Sequence, residues 1–261
     1  MRALVERVDR VLLGSQAAYT PSAERRRRLV KQFKDIFDTE MEFTDEEARY
    51  VTQPEEGVVR NQYLASLLPP VNTGLIIDAY ACIGSDAIAF MRTFPDARVH
   101  AVQIQNTEET NHRFRRLIAN IRRYITKFPT PHHAFQPQGC SAREYVEQRL
   151  PVIMPDPATP IVLLYLDPPW YGADGVAYSP SSLVTMIDQD MLTPLASQNR
   201  KPAVICFKVP ADFTVEMMQP HLETCALFAM QGYTLKNTIP VTHEGKRQPA
   251  YNFHIYTPSA Q

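Results

Sequence analysis

From residue 74 onward the chain alternates short apolar runs with longer amphipathic ones, and few folds can accommodate that rhythm. Strand character is read over 74–79, 98–104, 134–138, 161–166 and 203–209. The intervening segments 85–93, 108–128, 142–149 and 182–196 have helical spacing, and 213–222 continues it. The last two apolar runs, 234–241 and 251–256, have no helix between them and should pair antiparallel. Five βα units closed by a hairpin predict an α/β, Rossmann-like, doubly wound sheet of seven strands. In such a sheet ligands gather at the carboxyl ends of the strands, so the loops after the first, second and fourth strands should face one cleft. They carry 78–86, 103–106 and 167–172.

Upstream, residues 1–48 read as a helical extension. Leu29, Val30, Phe33, Ile36 and Phe37 recur at helical spacing behind Arg25-Arg26-Arg27-Arg28. Thr44 before three acids marks a helix start, 50–54 a loop, and 58–68 a further helix stopped by Pro69-Pro70. The domain proper is expected over 49–261, with the Pro-rich 151–160 stretch as a loop. A net charge of −1 excludes a uniformly basic nucleic-acid binder and leaves only local patches. One is the arginine run, and another is 113–127 with Arg113, Arg115, Arg116, Arg122, Arg123 and Lys127. The arginine run, with Lys31 and Lys34, reads as a nuclear-import signal, a nucleic-acid patch or a solvated helix face, and 113–127 reads as an RNA path or a solvated helix face. Four cysteines, none spaced as a metal pair, point to free thiols in a reducing compartment. His132-His133 lacks companion ligands, so no metal is expected. No apolar run reaches the roughly 18 residues of a membrane span, and a soluble intracellular protein is expected, in nucleus or cytoplasm.

The fourth strand ends in Leu166-Asp167-Pro168-Pro169-Trp170, which brings a carboxylate, two prolines and the only tryptophan to one point. Prolines stiffen the loop, and an indole offers an apolar face for a base. The side chain of Asp167 and the carbonyl of Pro168 can accept hydrogen bonds from an exocyclic amine, an arrangement suited to base methylation. The plain alternative is a strand ending in a Pro-Pro turn with a buried Trp.

Three segments resemble the class I S-adenosylmethionine-dependent methyltransferases, and among them the RNA cap guanine-N2 (trimethylguanosine synthase) type. Tyr50-Val51-Thr52-Gln53-Pro54-Glu55 is similar to that family's aromatic-x-x-Thr-Pro-Glu loop. Asp78-Ala79-Tyr80-Ala81-Cys82-Ile83-Gly84-Ser85-Asp86 is similar to its Asp-Ala-Phe-x-Gly-x-Gly-Gly-Asn cofactor loop, and 167–172 to its Ser-Pro-Pro-Trp-Gly-Gly. The resemblance spans 50–172 and implies S-adenosyl-L-methionine as cofactor. Asp78 and Gly84 would border its methionine portion and Tyr50 and Pro54 would close over it, with Gln103 at the ribose and Cys140 near the adenine. It also implies capped RNA as partner, with Asp167-Pro168 holding the guanine amine. Trp170, beside Tyr171, would stack on the base, and Lys208 and Arg60 would meet the phosphates.

The sequence departs from that pattern. Cys82 and Ser85 replace glycines, Gln103 replaces the acid on the ribose, Cys140 replaces the acid near the adenine, and Asp167 replaces serine. Asp at that last position is typical of adenine-N6 and cytosine-N4 enzymes. Two further readings therefore stand beside the cap enzyme: an adenine-N6 methyltransferase on RNA or DNA, and a degenerate RNA- or cap-binding protein that has lost the donor.

Overall fold

The computed structural model describes residues 23–49, 51–68, 74–129, 135–172, 175–242 and 250–259. The expectations on residues 1–22, Tyr50, Pro69-Pro70 and His132-His133 lie outside these. Helices α1 (Ala23–Phe37) and α2 (Pro54–Leu67) precede the sheet. Then follow β1 (Leu75–Asp78), α3 (Ser85–Thr93), β2 (Arg98–Val102), α4 (Glu108–Lys127) and β3 (Phe135–Gln138). Short helices α5 (Ala142–Glu144) and α6 (Leu150–Ile153) flank a π turn and lead to β4 (Ile161–Leu166). Helices α7 (Pro180–Ile187) and α8 (Thr193–Ser197) flank a second π turn before β5 (Val204–Pro210). Helices α9 (Val215–Leu222) and α10 (Ala226–Gln231) and strands β6 (Tyr233–Val241) and β7 (Tyr251–Pro258) complete the chain.

The seven strands lie in the order β3-β2-β1-β4-β5-β7-β6. Strands β1 to β5 are parallel, and β7 runs antiparallel to both β5 and β6. Strands β1, β4 and β5 are buried along their whole length, as parallel strands covered on both faces must be. Alternate residues feed two cores. Ile76, Val162, Tyr165 and Cys206 face the layer of α1 to α4. Ile77, Leu164, Leu166 and Phe207 face the layer built by the later helices. The order reverses direction between β1 and β4, which opens the crevice of a doubly wound sheet where those two strands end.

The N-terminal segment is part of the first layer, since Leu29, Phe33, Phe37, Met41 and Phe43 share one core with the sheet. Within the expected helical extension, α1 ends at Phe37, where Asp38 turns left-handed at φ 49°. Thr44 caps a single 3-10 turn, Glu47–Arg49, in which the Thr44 amide donates to Glu47 and the Glu47 amide donates back to Thr44. Asn120 on α4 then locks this segment in place. It accepts from the Glu42 amide at 2.7 Å and donates to the carbonyls of Glu42 and Ile83.

Two expectations need correction, and one further helix was not anticipated. Pro54 opens α2 instead of ending a loop, because proline suits a first helical position. Part of the 151–160 loop is helical, since α6 runs to Ile153. Helix α10 carries no period long enough to register in the sequence, and tertiary contacts through Leu227 and Phe228 hold it.

His100, on β2, is fully buried, with its Nδ1 2.6 Å from the Tyr145 hydroxyl. Burial lowers its pKa to about 3, so it stays neutral in the folded chain while the unfolded chain takes up a proton below about pH 6.5. Stability therefore falls as the pH drops through that window. From pH 6.5 to 4.5 this one group should remove about 2 kcal/mol. Urea titrations at both pH values should show a smaller loss for His100→Asn, whatever that variant's stability at neutral pH.

Candidate active site

The crevice is lined by the loops that the parallel strands release at their carboxyl ends. Strand β1 ends at Asp78, paired in register with Tyr165 of β4, so Asp167 leaves the sheet on the same side two residues later. The loop after β1 is held by the Ala81 amide on the Val102 carbonyl and the Gly84 amide on the Ala81 carbonyl. Two of its residues are left-handed, Cys82 at φ 49° and Gly84 at φ 92°. Gly84 suits this conformation, and a Cβ there would stand 2.7 Å from Leu117. Cys82 holds the left-handed conformation with a side chain, at a cost of about 1–3 kcal/mol. The thiol packs on the α1–α4 core, and burial pushes its pKa up to about 12, so it is neutral.

Asp78 is 1% exposed and neither of its oxygens has a hydrogen-bond partner of regular geometry, although the nearby Tyr80 amide favours the anion. Burial, then Asp86 and Asp167, raise its pKa well above the carboxylate range.

Asp167 faces the buried ammonium of Lys208, with 2.8 Å between Nζ and Oδ2. Lys208 also donates to the Thr52 hydroxyl at 3.0 Å, and that hydroxyl donates to Asp86 at 2.9 Å. Asp86 receives Arg60, which lies among the rings of Phe90, Tyr165 and Phe253. Burial pushes Asp167 up to about 6 while Lys208 pulls it down, with Asp86 adding to the rise. For Lys208, burial lowers the pKa but Asp167 and Asp86 outweigh it, and the ammonium ends above its ordinary value.

Pro168 is buried, Pro169 exposed, and Trp170 half-buried. The indole Nε1 donates to the Lys208 carbonyl at 3.3 Å, and the ring packs 6.2 Å from that of Tyr251. Tyr251 in turn donates to Glu56 of α2. Beyond Trp170, Tyr171 forms an antiparallel bridge with Ala177.

The residues named from sequence thus fall into three groups. Asp78, Gly84, Asp167, Pro168, Trp170, Tyr171 and Lys208 surround the crevice, with Pro54 at the start of α2. Gln103 follows β2 and spends its amide on the Ile104 carbonyl, while Cys140 is buried in the opposite core beside Tyr145. Arg60 is the clear correction: it is 0% exposed and ion-paired inside the first layer, so it meets no phosphate. Lys208 is 3% exposed and turns its charge inward. Thr52, Asp86, Glu56 and Tyr251 were not singled out as site residues. The opposite charges of Arg60 and Asp86 were the one available signal, but nothing in their spacing pairs them.

Helix α4 is largely neutralised. Arg113 pairs with Glu109, Arg116 with Glu47, Arg123 with Glu42 and Lys127 with Asp38. Among the described residues no group of three His, Cys, Asp or Glu is arranged to hold a metal, and no helix is long and apolar enough to cross a membrane.

No protein-family model and no curated protein sequence matches the chain. Solved structures do. The human methyltransferase 10 domain containing protein superposes with a TM-score of 0.60 at 7% identity, over 91% of this chain and 98% of that one. The METTL16 MTase domain gives 0.60 at 8% identity, over 91% and 80%. Its delta-N form gives 0.59 at 9%, over 91% and 96%. The fold is that of the class I S-adenosylmethionine-dependent methyltransferases.

That fold implies S-adenosyl-L-methionine, and the crevice suits it. Asp78 is a buried carboxyl group at the end of β1 with both oxygens unsatisfied, and the cationic methionine end of such a molecule would favour its ionised form there. The turn at Gly84 brings backbone close to the same point. Gly84→Ala should cost about 2–4 kcal/mol in urea unfolding, from the left-handed φ together with the overlap on Leu117.

Proposed function

We propose that this protein is an S-adenosylmethionine-dependent N-methyltransferase that modifies an exocyclic base amine of RNA, the N2 amine of a cap guanine first of all. One observation carries the reading. A stiff Asp-Pro-Pro-Trp loop at the switch point holds an ion-paired carboxylate beside a half-exposed indole. The order of the three motif segments favours guanine N2. Aspartate in place of serine favours adenine N6, which is the second reading.

Asp78 and Gly84 would border the methionine end of the donor, Gln103 its ribose, and Pro54 would help close the crevice. The donor supplies an electrophilic methyl group. The chain's own residues do the positioning. Trp170 stacks the base, a contact worth roughly 1–3 kcal/mol. If the base is 7-methylguanine, its positive charge adds a cation–π attraction. The Pro168 carbonyl and the Asp167 carboxylate accept hydrogen bonds from the amine, which aims the nitrogen lone pair away from them. Asp167 takes the proton as the new bond completes. Orientation of this kind is a large share of what such a site contributes, about 7–11 kcal/mol in favourable cases.

Mass spectrometry of nucleosides from capped and uncapped RNAs, incubated with the donor, tests the reading. N2-methylguanosine at a capped end is expected. N6-methyladenosine would move the assignment to the second reading, and no methylated base would overturn both. In an active preparation Asp167→Ala should lower kcat about a hundredfold. Trp170→Ala should raise KM for RNA about tenfold while largely sparing kcat. Turnover should rise through about pH 6 as Asp167 ionises.

A further inference from the structure

Lys208 lies in the crevice but not as a surface cation would. Its side chain is 4% exposed, and its ammonium is shared between Asp167 and Thr52, 4.8 Å from the Tyr251 ring centre. The Thr52 hydroxyl has a fixed polarity. It accepts from an ammonium, which has no lone pair, and donates to Asp86, which is held by Arg60. Arg60, Asp86, Thr52, Lys208 and Asp167 therefore form one directed chain from α2, through the first turn of α3, to the acceptor loop. Asp86 is two residues beyond Gly84, so this chain ties the donor side of the crevice to the carboxylate on the acceptor side.

We propose that Lys208 and Thr52 are positioning residues for Asp167: Lys208 fixes the orientation and charge of the carboxylate, and Thr52 anchors Lys208 to the donor-side loop through Asp86. The inference rests on the base-amine reading above, because it assigns Asp167 a partner for that role. A lysine that left to meet a phosphate would abandon Asp167 in a partly buried site among other acids, and that is costly.

Among the described residues, titratable groups from several elements act on Asp167 or feel its charge. Lys208 and Cys206 approach from β5, Asp78 from β1, Cys82 and Asp86 from the loop after β1 and the helix it opens, Arg60 from α2, Tyr165 from β4, and Tyr251 from β7. Glu56 adds a further anion near Lys208. Among these, Lys208 is the cation in direct contact with Asp167, and it acts against the anion of Asp86.

The test is a titration of the Asp167 carboxyl carbon by NMR in protein labelled with 13C-aspartate, with Asp167→Asn giving the assignment. Wild type, Lys208→Met, Lys208→Arg and Thr52→Val are compared. Lys208→Met should move the Asp167 midpoint upward by about one pH unit or more, and Lys208→Arg should bring it back toward wild type. Thr52→Val keeps both charges and should move the midpoint upward by less, so it carries the test should Lys208→Met fail to fold. The pH profile of kcat should shift in the same direction, with KM for RNA little changed. An unchanged Asp167 titration in both variants would overturn the inference. So would a Lys208→Met effect confined to KM and relieved by salt, which would make Lys208 a phosphate anchor. The titration needs neither donor nor RNA. If no base is methylated, the base-amine reading fails while the carboxyl titration still decides the linkage.

Discussion

Two cations are buried where the sheet reverses direction, and the crevice depends on how they are neutralised. Arg60 is fully enclosed, stacked among three aromatic rings and paired with Asp86, while Lys208 is enclosed against Asp167. Removing one partner of such a pair costs about 3–5 kcal/mol, because the other charge is left without water or counter-ion. Each pair joins elements distant in sequence. Arg60–Asp86 ties α2 to the first turn of α3, which opens from the loop after β1, and Lys208–Asp167 ties β5 to the loop after β4. Thr52 bonds to both pairs. The loops of the crevice are therefore located by charge as well as by the strands that release them.

The same network shapes the chemistry open to the site. Asp86 and Asp167 help raise the pKa of Asp78, Asp86 helps raise that of Asp167, and two cations stand among them. Asp78 lacks a cation of its own, and a positively charged ligand at the end of β1 would supply the missing partner. Trp170 is anchored at its Nε1 and backed by Tyr251, so its position is set by β5 and β7 rather than by its own loop.

Much of the fold was legible because hydrophobic period and strand length are local properties. The strands expected at 74–79, 98–104 and 161–166 are found within a residue or two of those bounds, and the final antiparallel pair is where the missing crossover helix required it. The failures have physical causes. Residues 38–46 contain apolar Met41 and Phe43 but bury them without helix, through the bonds of Asn120 to Glu42. Helix α10 is too short to show a period. Pro54, expected as the last residue of a loop, is instead the first residue of a helix. In the site, Asp167, Trp170 and Asp78 were legible because each ends or follows a strand in a motif. Arg60 was misread as a phosphate ligand, since a sequence gives the charge of a side chain but not the side of the helix that will be enclosed.

By itself the sequence determined the alternating architecture and the residues released at the strand ends, because period, propensity and proline stiffness act over a few neighbours. It also determined that one carboxylate and one indole would leave β4 together. Only the tertiary structure decided which charges meet. The strand order carries Lys208 to Asp167 across 41 residues, and helix packing carries Arg60 to Asp86 across 26. Pairing at that range is governed by desolvation inside the folded chain, a quantity no local pattern encodes.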